Sequence, residues 1–253
     1  MTKRRSSVLR ARIVAGLLGF VLLSGGCGRP GSTGSKVVWS DSDGDVQGLA
    51  NLPDRPTPDL HEVMVGSKNG ELVAELNLEN LRKRLDYVSA DGKRYGASLV
   101  DILLDVDLDP ATGGAPLSLW RADTRPTRFG YEFRIAVLAG FRRQTADGGS
   151  GRTVGDMSFD SANQVKIEPI ITYQIWSLGA QRFGSKNIDL TEADSARLDT
   201  ELAALDNDRV RLRIPYHYLG AKSGGRVRIA YLDVQESAST ESSLSEDKTL
   251  PLE

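Results

Sequence analysis

Apolar and polar residues alternate with a period of two through most of the stretch from residue 36 to 234, as in strands with one buried face. The alternation is cleanest from Val100 to Asp109. Val100, Ile102, Leu104, Val106 and Leu108 fall on one face there, and Asp101, Asp105, Asp107 and Asp109 on the other, which predicts a half-buried strand with an acidic outer face. Phe129, Tyr131, Phe133, Ile135 and Val137 alternate with Gly130, Glu132, Arg134 and Ala136; Val165, Ile167, Ile171, Tyr173 and Ile175 alternate with Lys166, Glu168, Thr172, Gln174 and Trp176. Val210, Leu212, Ile214 and then Val227, Ile229, Tyr231 repeat the pattern with arginines outward. Val63 and Val65 on one side, and Leu72, Ala74, Leu76 and Leu78 on the other, flank Lys68-Asn69-Gly70. Asn-Gly supplies the positive φ angles of a tight hairpin. Shorter candidates at 36–40 and 117–122 bring the total to about eight or nine strands, enough for two packed sheets. One helix interrupts them: Thr191 to Leu205 places Leu198, Leu202 and Leu205 at helical spacing, with Glu192 and Asp194 in the first turn. The predicted fold class is all-β, a two-sheet antiparallel β-sandwich with one inserted helix near 191–205.

The ends of the chain read differently. Lys3, Arg4, Arg5, Arg10 and Arg12 form a basic start, Ile13 to Leu23 is an uncharged apolar run, and Ser24, Gly25 and Gly26 precede Cys27. That is the layout of a secretory signal, with an apolar run too short to span a bilayer comfortably. Residues 22–27, LLSGGC, resemble the bacterial lipobox, in which a lipid is attached to the cysteine sulfur and cleavage leaves that cysteine first. Ser24 stands where the usual pattern has leucine, with Leu23 one place further back. Cys27 is the chain's single cysteine, so an intrachain disulfide framework and a cysteine-based zinc ribbon are both excluded. The expected organisation is a signal over 1–26, a lipidated Cys27 with a flexible tether over 27–35, one β-sandwich domain over 36–234 and a disordered polar tail over 235–253.

The whole chain has 253 residues and a net charge of −2. Residues 1–26 hold five basic residues and no acidic ones, so the remainder carries 27 Lys and Arg against 34 Asp and Glu, a net charge of −7. A surface of that sign argues against nucleic acid or an anionic bilayer as a partner. Attachment to a membrane is then expected through the N-terminal lipid. Gly28 after the cysteine favours the outer membrane, by resemblance to lipoproteins, within a cell-envelope location.

Three stretches in order resemble the secreted β-sandwich group that includes DOMON domains and family 9 carbohydrate-binding modules. The first is DSDGD at 41–45, followed by Pro58-Asp59-Leu60, the Val63 strand and its hairpin. The second is DVDLDPATGG at 105–114, followed by GYEFRI at 130–135, and the third is VRLRIP at 210–215 with VRIAY at 227–231. The resemblance covers most of residues 37–234. It implies a module of a group whose members bind sugars, haem or calcium or have no known ligand, and it does not choose among these.

Asp105, Asp107 and Asp109 would stand about 7 Å apart along an extended strand. A hard cation such as Ca²⁺ would relieve their repulsion, with carbonyls from a turn at Pro110 to Gly114 completing six to eight oxygens. Asp41, Asp43 and Asp45 form a second candidate group. Neither follows the EF-hand spacing. Trp176 and Trp120 fall on the polar faces of their strands and are candidate stacking platforms for a sugar ring.

Catalytic signatures are sparse. The chain holds two histidines, His61 and His217, with no HExxH, Gly-x-Ser-x-Gly or P-loop pattern. The expectation is an exported, lipid-anchored, non-catalytic binding or structural module, calcium-stabilised, whose ligand is a carbohydrate or another envelope component, including an envelope protein. A haem-binding or redox domain is the alternative and would need an axial pair such as Met64 with His217. An accessory glycoside-acting enzyme built on a carboxylate pair comes third.

Overall fold

The period-two pattern folds into antiparallel sheets. The computed structural model describes residues 35–41, 55–110, 112–113, 130–178, 185–233 and 245–253. A unit over Met1–Thr33 lies outside these residues; every element below belongs to a second unit, Gly34–Glu253. In chain order the strands begin with β1 (Lys36–Ser40), β2 (Asp59–Lys68) and β3 (Glu71–Glu79). After helix α1 (Leu81–Asp86) come β4 (Lys93–Tyr95), β5 (Ala97–Asp105), β6 (Phe133–Thr145), β7 (Ser150–Val154), β8 (Ser158–Asp160) and β9 (Gln164–Leu178). β10 (Ser185–Ile188) leads to helix α2 (Glu192–Arg197), and β11 (Ala203–Asp206), β12 (Arg209–Pro215), β13 (Arg226–Asp233) and β14 (Lys248–Pro251) follow.

One sheet has the order β1-β2-β3-β12-β11; the other runs β10-β9-β6-β5-β13-β14, with β7 also on β6. The hairpin between β2 and β3 turns at Asn69 (φ 53°) and Gly70 (φ 77°), the two positive φ angles expected of Asn-Gly. Val63, Val65, Leu72, Leu76, Leu212 and Ile214 of the first sheet share one core with Ile102, Leu104, Ile135, Val137, Tyr173 and Ile229 of the second. Their common burial makes the pair of sheets a sandwich.

Several boundaries differ from the expectation. The strand predicted over Val100–Asp109 ends at Asp105, and its outer face is not solvated: Asp101 is 6% exposed and Asp105 0%. β5 lies between β6 and β13, and its outward Leu103 packs with Tyr131 and Ala230 in a second small buried cluster. The helix predicted over 191–205 is shorter. Thr191 caps it, its Oγ1 accepting from Asp194 N at 3.1 Å, and α2 continues as a π-helical turn over Leu198–Leu202. Leu205 instead pairs with Val210 across a turn at Asn207 (φ 56°), because β11 finds a ladder partner in β12. The polar tail expected over 235–253 is ordered at its end. β14 pairs with β13, Leu250 and Leu252 are buried, and Trp39 Nε1 donates to Glu246 O at 2.7 Å. Two leucines in a polar segment supply the apolar area that fastens it. The candidate strand at 117–122 lies outside the described residues.

Candidate metal centre

The sheet geometry delivers three carboxylates to one place. Asp105 is the last residue of β5, Asp107 follows two places on, and Glu132 immediately precedes β6, the strand paired with β5. Glu132 N donates to Leu104 O at 2.9 Å, extending the ladder to the site. Beyond Asp105 the chain turns sharply: Leu108 takes φ 61°, and Asp105 Oδ1 accepts from Leu108 N at 2.6 Å. This is side-chain-to-backbone bonding that competes with strand continuation. One carboxylate oxygen from each of Asp105, Asp107 and Glu132 lies within 4.8 Å of the others.

Close backbone approach tightens the centre. A side chain at Gly130 would run into Thr112 O, and one at Gly113 (φ 68°) into Tyr131 O and Glu132 Oε1. Glycine at both positions lets the turn lie directly on the start of the next strand. Thr112 Oγ1 then sits among four acceptors: Asp107 Oδ1 at 3.1 Å, Asp107 Oδ2 at 2.8 Å, Asp109 O at 3.0 Å and Glu132 Oε1 at 3.1 Å. A hydroxyl carries one proton, so it can donate to one of these at a time. The backbone N–H groups of Val106, Leu108 and Asp109 donate to Glu132 Oε2, Asp105 Oδ1 and Asp107 Oδ1, which leaves the centre with more oxygens than donors.

Its electrostatics follow. Burial pushes the Asp105 carboxyl up to about 6 against a pull from the Leu108 N–H, and the neighbouring Glu132 charge pushes the same way. Asp105 Oδ2 has Arg228 Nη1 at 3.2 Å but makes no hydrogen bond among the described residues. Asp107 is held below its ordinary value, chiefly by the backbone N–H of Asp109 at 2.9 Å and also by Thr112. Acidic groups that can hold a metal ion are thus present, and every donor is oxygen, as hard cations require.

The predicted site residues divide. Asp105 and Asp107 belong to the centre, whereas Asp109 contributes its backbone and Glu132 occupies the third carboxylate position. Glu132 was visible only as a polar member of an alternating strand. Asp41 is engaged elsewhere, Oδ2 accepting from Tyr231 OH at 3.0 Å. Cys27, Asp43, Asp45 and Trp120 lie outside the described residues. Trp176 is half-buried on the outward face of its sheet, opposite Arg134 on β6 and Asn187 on β10.

The axial pair considered for haem is separated by the ladder. Met64 is level with Glu75 and Arg211, while Glu71 pairs with Pro215, two residues short of His217. Four rungs, roughly 13 Å along the strands, lie between those levels. His217 instead packs on Tyr218, with its Nε2 3.5 Å from Asp194 Oδ2. No helix among the described residues is long and apolar enough to cross a membrane. Comparison with protein-family models, curated proteins and solved structures returned no match.

Proposed function

We propose that the chain is an exported, non-catalytic binding module, anchored through a lipid on Cys27 and carrying a β-sandwich stabilised by one calcium ion. Asp105, Asp107, Glu132 and the Thr112 hydroxyl would hold the ion, which would add to the single guanidinium charge that Arg228 brings to three carboxylates. The supporting observation is the single Thr112 proton among four acceptors beside the buried Asp105 carboxylate. The test is thermal unfolding of the full chain in excess calcium and then in chelator. At calcium 100-fold above its Kd the folded state gains about 2.7 kcal/mol. An unchanged melting temperature would overturn the calcium assignment.

The ligand in this reading is a carbohydrate or other envelope component met on the outward face of the seven-stranded sheet, where Trp176 stands. The half-buried Trp176 on that outward face supports the choice, and the lipobox-like LLSGGC with Gly28 supports the outer membrane. Glycan-array binding by wild type, lost in Trp176→Ala, is the expected result. Binding that survives the substitution would remove Trp176 from the site.

A further inference from the structure

The five-stranded sheet carries a second group of metal-ligating side chains with different chemistry. Asp59 and Glu79 stand directly opposite each other at one end of the β2–β3 ladder. The register shifts between Leu60 and Glu62, leaving His61 as the extra residue of a β-bulge. Bulges re-aim the side chains they carry. Here one ligand atom from each of Asp59, His61 and Glu79 comes within 4.8 Å of the other two, with His61 Nε2 3.7 Å from Glu79 Oε2. Carboxylates directly opposite across a ladder repel, and a cation between them relieves that repulsion.

The donor set selects the ion. Asp105, Asp107 and Glu132 offer oxygen alone, whereas this group offers one imidazole nitrogen and two carboxylate oxygens, which suits zinc and neighbouring first-row divalent ions. Donors about 2.0–2.1 Å from a tetrahedral zinc stand about 3.4 Å from each other. The 3.7 Å separation of His61 and Glu79 is already close to that edge. Three protein donors leave a coordination position for water or a ligand. The next outward pair along the same ladder, Glu62 and Asn77, borders a cavity of about 260 Å³ that Glu75, Asp206, Arg209 and Arg211 also line.

We propose that Asp59, His61 and Glu79 form a zinc-class divalent metal site on the outward face of the five-stranded sheet. The test is titration of the metal-free full chain with Zn²⁺, followed by calorimetry and by ¹⁵N NMR of the imidazoles. With two histidines in the chain, the spectrum of wild type alone decides which one binds. The expected result is one zinc bound with the His61 signals moved and those of His217 unmoved. His61→Gln and Glu79→Gln, the latter a 56%-exposed side chain that tolerates change, each weaken zinc at least tenfold. Asp105→Asn leaves zinc affinity unchanged, which separates this site from the calcium reading. Unmoved His61 signals, movement of His217 in their place, or a Glu79→Gln chain that binds zinc as wild type does would overturn the proposal.

Discussion

Replacing Asp105 by Asn should stabilise the metal-free protein at neutral pH and destabilise it, relative to wild type, once calcium is added. The reasoning starts from the carboxyl's rise from 3.8 to about 6. A carboxyl whose folded value is raised contributes stability that is fully present below 3.8, in its protonated form, and lost as pH climbs through about 6. A shift of that size corresponds to about 3 kcal/mol, reduced to on the order of 2 kcal/mol by screening at the loop side of the centre. Asn carries no charge to desolvate and keeps an Oδ1 that can accept from Leu108 N. Arg228 retains Asp247 Oδ2 at 3.0 Å. In chelator at pH 7.5, Asp105→Asn is expected to melt roughly 4–8 °C above wild type, given about 2–4 °C per kcal/mol for a domain of this size.

Thermal unfolding in chelator from pH 4 to 7.5 checks the linkage. The gap between wild type and Asp105→Asn should be near zero at the acid end, open as pH rises from about 4 towards 6 and level off above 6. Burial also raises Asp101 against the pull of Arg134, but this is common to both chains and cancels in the difference. Asp107 and Asp194 are held below 3.8, so their contributions are present above that value and lost only at still lower pH. With excess calcium the order should reverse, since wild type gains a ligand that the Asn variant holds poorly. An Asp105→Asn protein less stable than wild type in chelator at pH 7.5 would refute the burial argument. A gap independent of pH would refute its titration.

Three further outcomes follow from the packing. Leu250→Ala, at a side chain with no exposure, should cost about 2–5 kcal/mol by chemical denaturation, a loss that a disordered tail would not show. Gly130→Ala sets a Cβ against Thr112 O and should cost about 1–3 kcal/mol while abolishing the calcium-induced rise in melting temperature. Leu202→Ala, at the buried last residue of the π-helical turn, should cost about 2–5 kcal/mol, whereas Leu205→Ala, in β11 and only half-buried, should cost less in the same denaturation assay.

The long strands were legible because one face of each meets the shared core and the other carries polar residues, so the period of two survives in β2, β3, β6, β9, β12 and β13. The short ones were not. β4 and β8 pair over three residues, β11 over four, and spans so brief contain too few alternations to separate a strand from a turn. The helix misled for a related reason: Leu198 and Leu202 keep helical spacing, but Leu205 falls at a position that strand and helix periods both allow, and pairing with Val210 decides it. The pattern over 100–109 predicts a half-buried strand with an acidic outer face, because alternation alone does not reveal what covers the other face. β5 occupies the middle of its sheet, its outward Leu103 is covered, and the buried Asp105 carboxylate accepts the Leu108 N–H of an exposed turn. Glu132 could be reached only through the β5–β6 register, since 27 residues separate it from Asp105 in sequence. His61 is a sharper case. A single histidine near a strand start reads as a surface side chain, and only the bulge between Leu60 and Glu62 brings it to Asp59 and Glu79. Both acidic centres therefore sit where the strand pattern breaks, one at a positive-φ leucine and one at an extra residue. The departures from alternation bring together the two groups of side chains that could hold a metal ion, and the alternation itself supplies the scaffold that carries them.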